Sequence, residues 1–547
     1  MLSICATKRN GGMRMRFCDD YAGLFGDGIM EEIKRAAYEI IEGIGMRVPD
    51  AALREKLIKA GFVPAGGRVA VSRGEAEAFL GGMIARERER ERAQEREREQ
   101  MRAQESENTQ TDAAGNDGGT AAAGRPKGYL DGWINNYPHS YVDPVSGEII
   151  RYDKESLIKM TAFCNRIGNK SGFTPNVPGC PADVPPSCKS VAGFVIGSKY
   201  IEGGVYPEPM CRHSAKYLFE MCGALGIKIS SLPVYLPTPL TFGDESLLVA
   251  LENSGRLERI GVYSMPSFGA NTPLSITGAL ALVLAETLLG AIIVGRLTGL
   301  ETVINPSLFA FDFKDLNQAF GTPETLTLQF ICNSFNNKLF GRGASEGWSG
   351  VEIHTHTIRP GVQAAAEKAI AMAAGYMKAG AARSVTFRGM GILGMDELFS
   401  PAQLIVDAEL LNYVKRLDAG YEISHVPEDF ADEVRDCIDK GFISSERTAA
   451  RYREYMRHSD LFTRANMKMQ MQSGARAAEK TAGAKIASGV KTASGAKIIA
   501  STKIIAGAEE AAAAIAAAEL RRPAEMVLDT ATAATLDKLL IKAIENA

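Results

Sequence analysis

Residues 259–311 read RIGVYSMPSFGANTPLSITGALALVLAETLLGAIIVGRLTGLETVINPSLFAF, and this stretch decides the fold class. Its two ends, RIGVYSMPS and TVINPSLFAF, are short runs rich in apolar and β-branched residues, which is typical of strands. The long segment between them, ITGALALVLAETLLGAIIVGRL, is apolar almost throughout, which is typical of a buried helix. A strand, a helix and a second strand in this order predict two parallel strands joined by a helical crossover.

The apolar run from Leu274 to Leu300 is also long enough to cross a bilayer. Glu286 lies near its middle, where an ionised side chain is costly. The Gly and Ala content of this single run favours a helix in a large soluble core, so we expect no membrane span. Once buried, the Glu286 carboxyl must be paired or protonated, and a structural role is favoured over a catalytic one.

The strand–helix alternation continues through residues 127–460, the predicted catalytic body. VEIHTHT and SVTFRGMG indicate further strands, and three segments indicate further helices: YLFEMCGALG, PETLTLQFICNSFNN and QAAAEKAIAMAAGYMKAG. Such alternation argues for a parallel sheet, open or closed. The body carries no G-x-x-x-x-G-K-[ST] phosphate loop, and we expect an α/β fold built as a (β/α)8 TIM barrel.

Three further regions flank or interrupt this body. Residues 1–84 are predicted to form a helical unit, because residues 29–44 carry an apolar stripe at helical spacing. Residues 85–126 begin with the alternating charges ARERERER and become Gly/Ala-rich, which predicts a mobile insertion without an apolar face. Residues 461–547 are an Ala/Lys-rich extension that ends in an amphipathic helix expected to pack on the body.

The bulk composition excludes several classes of protein. A formal net charge of −3 gives no reason to expect a nucleic-acid partner or an anionic membrane surface. The 9 cysteines are scattered without a C-x-x-C pair, which suits a reducing cytosol better than secretion. The first residues lack the apolar core of a signal peptide. We therefore expect a cytoplasmic protein.

The segment VEIHTHT at 351–357 holds the main candidates for chemistry. If it is a strand, Glu352, His354 and His356 point to one face, because strand side chains alternate. A carboxylate and two imidazoles on one face can form an active-site wall, ligate zinc, or serve as ordinary polar structure. The spacing alone leaves these alternatives open.

Several motifs in sequence order are similar to those of one family. They are EEIKRAAYEIIEGIGMRVPDAALREKLIKAGF at 31–62, YVDPVSGE at 141–148, PADVPP at 181–186, SMPSFGANTPLSITGALALVLAETLLG at 264–290, GTPE at 321–324, FSPAQLIVDAELLNYVKRLDAGYEI at 399–423 and the terminal LDTATAATLDKLLIKAI. The chain resembles the trimethylamine:corrinoid-protein methyltransferase family in these motifs, over nearly its whole length apart from the low-complexity segments.

The resemblance implies a TIM-barrel enzyme that moves a methyl group from a small methylated amine to cobalt. The corrinoid (cobalamin) would be carried by a cognate corrinoid protein, with no cofactor or metal bound permanently, and we expect a homo-oligomer. The position that carries pyrrolysine in founding members falls near His354. Because ASEGWSGVEIHTHTIRP departs from the usual pattern here, the resemblance points to the non-pyrrolysine branch, which includes a glycine betaine demethylase, and to a quaternary amine.

A quaternary ammonium substrate suggests which side chains bind it. Aromatic faces attract such cations, each contributing about 0.5–2 kcal/mol. Trp348 precedes the histidines. Three phenylalanines, Phe268, Phe311 and Phe313, lie at predicted strand ends, where barrel enzymes place their sites.

Polar candidates complete the predicted site. Glu352, His354 and His356 are predicted as catalytic or pocket-wall residues, and Arg359 as a donor to a substrate carboxylate. Glu324 and Asn271 are further candidates, although each also fits the start of a helix.

Two rival functions remain at this stage. A zinc-dependent lyase or hydrolase could be built on the same barrel around Glu352, His354 and His356. A non-enzymatic scaffold is suggested only by the low-complexity segments.

Overall fold

The computed structural model describes residues 8–9, 12–13, 23–108, 129–243, 245–342, 350–379, 385–420, 426–455, 459, 461–462 and 507–547. The strands are β1 Lys8–Arg9, β2 Gly12–Met13, β3 Met46–Arg47, β4 Val63–Ala65, β5 Arg68–Ala70, β6 Leu130–Trp133, β7 Ser140–Val142, β8 Ile149–Arg151, β9 Ser231–Leu236, β10 Arg259–Ser264, β11 Glu301–Ile304, β12 Phe311–Asp312, β13 Asn317–Gln318, β14 Val351–Glu352, β15 Val385–Arg388, β16 Ile392–Leu393 and β17 Leu398–Phe399.

The α-helices outnumber the parallel strands and form most of the described chain. They are α1 Asp27–Gly43, α2 Ala51–Lys59, α3 Arg73–Asn108, α4 Lys154–Ser171, α5 Lys189–Tyr200, α6 Arg212–Ala224, α7 Glu245–Asn253, α8 Ile276–Thr298, α9 Pro323–Phe340, α10 Val362–Ala379, α11 Pro401–Ala419, α12 Phe430–Cys437, α13 Glu446–Tyr455, α14 Gly507–Leu520 and α15 Thr530–Glu545. Short 3-10 helices lie at Pro186–Cys188, Ser254–Arg256 and Phe442–Ser444.

Two three-stranded parallel sheets form the centre of the α/β body. One has the order β11-β10-β9 and the other has the order β14-β15-β6. The predicted strands at 259–267 and 384–391 and the predicted helices at 276–297, 323–337 and 363–380 are confirmed by β10, β15, α8, α9 and α10. The described strands form several small sheets, none of which closes into a ring, so the α/β class is confirmed and a closed TIM barrel is not.

The β11-β10-β9 sheet has one dry face and one accessible face. Ile260 and Val262 of β10 are fully buried, and the corresponding residues of β9 are buried as well. The opposite face carries Tyr235 and Tyr263, which are register partners and remain partly accessible. Helix α8 covers the dry face so closely that a Cβ at Gly290 would lie 2.6 Å from Leu236 Cδ1.

Helix α8 has the length and apolar composition of a membrane span, and 78% of its most apolar window is buried within the protein. Its one carboxylate, Glu286, is fully buried. The carboxylate accepts hydrogen bonds from Thr238 Oγ1 at 2.7 Å and from Leu240 N at 2.5 Å. Burial raises the pKa of Glu286, and these donors oppose the shift. The interpretation of Glu286 as a satisfied carboxylate in a core helix is confirmed.

Helix α3 continues well into the charged segment that starts at residue 85. Its arginines pair with the body, since Arg86 Nε lies 3.4 Å from Glu301 Oε1 and Arg90 pairs with the same carboxylate. Glu87 of the helix in turn accepts from Arg342 Nε at 3.1 Å. The charged segment therefore docks through ion pairs where the sequence offers no apolar face, and residues 109–128 lie outside the described part.

Candidate active site

The carboxyl ends of the parallel strands bring together polar and aromatic side chains that are distant in sequence. Strand β6 is followed by Asn135, β14 by His354, and β15 ends at Arg388. Tyr235 and Tyr263 lie near the carboxyl ends of β9 and β10. Because active sites of parallel α/β folds form at this edge, we take this cluster as the candidate active site.

The imidazole of His354 lies at the centre of the polar part of the cluster and is almost fully buried. Asn135 Nδ2 lies 2.9 Å from His354 Nε2 and donates to it when the ring is neutral. The ring proton is then on Nδ1, which lies 3.3 Å from Glu352 Oε2 without the alignment of a hydrogen bond. Burial, followed by the positive charges of Lys368 and Arg388, lowers the pKa of His354 to about 3. The imidazole is therefore uncharged at neutral pH.

Glu352 connects the histidine to a basic side chain. Its Oε1 atom lies 3.5 Å from Nη1 of Arg388, on the neighbouring strand. Burial raises the pKa of Glu352, and the Arg388 charge opposes that rise. Glu352 and His354 are thus brought together as the alternation predicts, although β14 itself ends at Glu352.

His356 is partly buried, and its Nε2 atom has no hydrogen-bond partner among the described residues. It acts electrostatically on His354 and on Asp312. Within the described residues, no three His, Cys, Asp or Glu side chains come together in a group able to hold a metal ion. The zinc alternative therefore lacks a third ligand in this part of the chain.

The backbone around His354 is packed so closely that two glycines are required. Gly321 has φ +72°, and a Cβ there would lie 1.8 Å from the His354 carbonyl oxygen. Gly389 has φ +103°, and a Cβ there would lie 3.3 Å from the imidazole ring. Phe320 adds an aromatic neighbour, with its ring centroid 5.4 Å from that of His354. The histidine ring is thus fixed on several sides.

A buried ion pair supports this wall from behind. Lys368 and Asp407 are both fully buried, with Nζ and Oδ2 2.8 Å apart. Lys368 also donates to Gly389 O at 2.7 Å, and Gly391 N donates to Asp407 Oδ2 at 2.7 Å. The pair therefore holds the glycine loop that lies against His354.

The predicted substrate-binding residues lie in the loops at the same edge, with different degrees of exposure. Phe311 and Phe313 pack edge to face, 5.2 Å between centroids, and Phe268 N donates to Phe309 O at 2.7 Å in the adjoining loop. Asn271 Oδ1 accepts from Ser267 N at 2.7 Å, which gives it a role in shaping that loop.

The remaining candidates are less central. Glu324 lies in the exposed first turn of α9, where it faces the positive end of the helix. Arg359 is exposed and donates to the Gly147 carbonyl oxygen. Trp348 lies outside the described residues.

Sequence reasoning missed an acidic and aromatic group beside this cluster. It consists of Glu208 with Tyr137, Tyr206 and Tyr235, and the charge of Glu208 acts on each of the three tyrosines. Asn136 Nδ2 donates to Glu208 Oε2 at 2.9 Å. In both LDGWINNY and SLPVYL a tyrosine lies near or soon after the end of the strand, and this was the available signal. Using that signal would have required knowing which strands are adjacent.

A separate cavity of about 320 Å³ lies between helices α4 and α5 and the C-terminal segment, lined by residues such as Arg166, Lys170 and Glu202. These residues belong to the outer helices, away from the carboxyl ends of the strands. This cavity is therefore not the candidate active site.

Comparison with known families gives a match, which covers part of the chain. Residues 234–501 match the model of the family described as trimethylamine methyltransferase (MTTB), a range that includes β10, His354 and Arg388. No curated protein matches the chain. The family match confirms the resemblance found in the sequence and implies a methylamine methyltransferase; it does not resolve the branch.

Proposed function

We propose, from the match of residues 234–501 to the trimethylamine methyltransferase family model, that the protein is a member of this family and demethylates a small quaternary amine. The acceptor is the cobalt of a corrinoid carried by a separate cognate protein. The observation that carries the proposal is the convergence of Asn135, Glu352, His354 and Arg388 with tyrosine rings at the carboxyl ends of parallel strands.

Methyl transfer from a quaternary ammonium makes particular demands on the protein. The substrate has no proton to lose, so the reaction needs a strong nucleophile in line with the methyl carbon, which a reduced corrinoid supplies. The task of the chain is then to hold the methyl group still and exclude water. A general base is not required.

The neutral His354 suits this task. An imidazole with a pKa of about 3 does not repel a cation at neutral pH, whereas a protonated ring would. Since Gly321, Gly389 and Phe320 fix the ring, His354 is a rigid wall of the pocket.

A closed (β/α)8 barrel is part of the proposal. Its support is the parallel pairing of β15 with β6, from Val385↔Leu130 to Arg388↔Trp133. These are the first and last strands, in chain order, of the two three-stranded parallel sheets, and pairing of first with last is what ring closure requires. A parallel bridge between Trp133 and Thr174 extends the ring on the other side of β6.

The mouth of the proposed barrel has an exposed apolar rim. Met265, Leu274, Phe313 and Leu316 are 50%, 71%, 57% and 73% exposed. Leu274 and Phe313 meet at Gly269, where a Cβ would lie 2.6 Å from the Leu274 side chain and 2.9 Å from the Phe313 ring. Exposed apolar groups at the mouth fit the docking of a partner that presents a large macrocycle.

A cytoplasmic location and a homo-oligomeric assembly are also part of the proposal. The location is supported by the cysteines that the structure describes, all of which are free thiols.

The test is direct methyl transfer. The purified protein is incubated with a cob(I)alamin source and a panel of betaines and methylamines, and methylcobalamin is followed by its absorbance. We expect one quaternary compound to give methylcobalamin and His354→Ala to slow its formation about 10-fold or more. Glu220→Gln, on the exposed face of α6, is the matched control and should leave the rate unchanged. Absence of methylcobalamin with every compound overturns the proposal.

A further inference from the structure

We propose that Glu208 and the rings of Tyr137, Tyr206 and Tyr235 form the pocket for the charged head of the substrate, a permanently charged alkylammonium group. The inference rests on the proposed function for the identity of the ligand, and it assigns the binding to residues outside the 351–357 segment. It also lies largely outside the range that matches the family, since three of these four residues precede residue 234.

Among the residues that the structure describes, the carboxylate of Glu208 has no positive partner. The hydrogen bond that it accepts from them comes from the neutral amide of Asn136, at 2.9 Å. Within the described chain, no Lys, Arg or His pairs with it, although the chain forms many ion pairs elsewhere. Burial raises the pKa of Glu208, and the Asn136 donor only partly opposes the rise. A carboxylate that is removed from water and has no counter-ion is the partner that an incoming cation needs.

The tyrosine side chains remain accessible and feel the charge of Glu208. Tyr137, Tyr206 and Tyr235 are 44%, 50% and 39% exposed. Burial is the largest cause that raises the pKa of each hydroxyl, and the charge of Glu208 is the second. A cation paired with Glu208 would therefore meet these rings.

Local packing sets the directions of these rings. Tyr206 OH donates to Ser231 O at 2.8 Å, which anchors the hydroxyl on the neighbouring strand. Tyr235 lies beside Tyr263 in parallel register, with ring centroids 6.4 Å apart. Gly261 makes room for Tyr263, because a Cβ there would lie 2.4 Å from its ring. The tyrosines therefore line the accessible face of the β11-β10-β9 sheet.

The chemistry of the group selects an alkylammonium ion over other cations. A metal ion would require several oxygen or nitrogen ligands, and the described residues offer no such group here. A primary or secondary ammonium ion would require acceptors for two or three N–H groups, whereas the charged acceptor of this group is one carboxylate, which already accepts from Asn136. Ring faces with one counter-ion suit a head that carries charge and methyl groups but no N–H.

Calorimetry with tetramethylammonium and with choline measures this site without any corrinoid. The comparison ligand is 3,3-dimethylbutan-1-ol, which has the shape of choline and no charge. We expect choline to bind about 10-fold or more tightly than the neutral compound. Glu208→Gln should remove this preference and leave weak binding of the neutral compound unchanged, and Glu220→Gln should change neither.

The tyrosine variants separate ring from hydroxyl. Tyr235→Phe keeps the π face and should retain choline affinity within about 3-fold, while Tyr235→Leu should lose about 5-fold or more. Equal loss in both variants, or equal binding of choline and its neutral analogue to the wild type, overturns the assignment. Circular dichroism of each variant confirms folding.

The pH dependence provides a second readout. The ligand does not titrate, and the described groups that face Glu208 are the Asn136 amide, the Cys180 thiol and the tyrosine hydroxyls. Burial raises the pKa values of the thiol and the hydroxyls, so they stay uncharged in acid. Burial also raises the pKa of Glu208, so choline affinity falls on acidification before ordinary carboxylates protonate, and Glu208→Gln abolishes the dependence. Asp396, whose pKa is also raised, acts on Tyr137; a pH dependence that persists in Glu208→Gln would assign the titration to Asp396 and contradict the role of Glu208. Glu208-dependent binding without methylcobalamin formation would leave this site standing and refute the proposed function, whereas methyl transfer without Glu208 dependence would do the reverse.

Discussion

At the scale of single residues, the uncharged state of His354 makes the folded protein less stable in acid. The folded ring has a pKa of about 3, whereas a histidine in the unfolded chain has its ordinary pKa of about 6.5. Between these values the unfolded chain binds a proton that the folded protein does not. Linkage therefore lowers the free energy of unfolding by about 1.4 kcal/mol for each pH unit below 6.5.

This predicts that His354→Gln makes the protein less sensitive to acid. The variant keeps a side chain able to pair with Asn135 but has no group that titrates in this range. Urea unfolding at pH 7 and at pH 5 should show a smaller loss of stability in the variant than in the wild type. His139→Gln, at an exposed position, is the control. An identical loss in His354→Gln and wild type would show that the folded imidazole is protonated.

The residues that sequence analysis found and missed differ in how far their partners lie along the chain. Glu352 and His354 are neighbours in sequence, so alternation along a strand was enough to bring them together. Asn135, which completes the histidine environment, is separated from it by 219 positions. Glu208 likewise meets Tyr137 and Tyr235, which are distant in sequence, only after the chain has folded. Single-sequence patterns report local geometry and cannot rank such distant contacts.

At the scale of elements, helices α10 and α11 are joined by a polar contact inside an apolar layer. Asp407 accepts from Lys368, from Gly391 and from Gln403 Nε2 at 2.7 Å, and both charges are fully buried. Such a pair contributes little over an apolar pair of the same volume, but loss of one member leaves an unpaired charge in the core. The arrangement makes the two helices and the loop at Gly389 one unit.

We therefore predict that Asp407→Ala lowers the free energy of unfolding by about 3–5 kcal/mol. Glu409→Ala, on the same helix and only partly buried, should cost much less. The double variant Lys368→Met with Asp407→Leu should recover most of the loss, because it removes both charges together. Urea denaturation of the four proteins provides the measurement. Equal stability of Asp407→Ala and Glu409→Ala would mean that the pair is not desolvated.

Elements were predicted from the sequence better than their assembly. The pattern located α8 through α10 and strands β10 and β15, because periodicity and apolar length are local properties. The predicted strand at 351–357 shortened to Val351–Glu352, since Thr355 instead forms an antiparallel bridge with Met395. Strand order depends on pairings such as β15 with β6, whose residues are more than 250 positions apart, so the local pattern behind the predicted closed barrel carries no direct information on closure.

At the scale of the whole molecule, the two C-terminal helices α14 and α15 pack on the outer helices of the body. Helix α14 packs on α11 and α4, where Arg166 Nε lies 3.2 Å from Glu519 Oε2. Helix α15 packs on α5 and α6 through its buried residues Leu536 and Leu540. The sequence-based expectation that the terminal helix returns to the body is confirmed. The described end of the Ala/Lys-rich extension therefore contains two helices that pack on the body.

Helix α15 also covers a thiol, which provides a test of its role in the whole molecule. Cys188 is fully buried, and its Sγ lies 3.4 Å from the carbonyl oxygen of Ala543. His213 Nε2 and Tyr217 OH approach the same turn, at 2.9 Å from Ala543 O and 3.2 Å from Lys542 O. Removal of the helix takes away these acceptors and the apolar cover together.

We predict that deletion of residues 529–547 makes Cys188 reactive toward a thiol reagent while the strands of the body stay folded. The reaction with an aromatic disulfide should speed up by about 10-fold or more, because the rate follows access of reagent to the thiolate. Cys188→Ser in the truncated chain assigns the signal, and Cys332, buried in α9, serves as the internal control that stays slow. A folded truncated protein whose Cys188 reacts no faster than in the full chain would show that α15 is not what shields this face. Equal acceleration at Cys332 would instead mean that the terminal helix holds the entire core together.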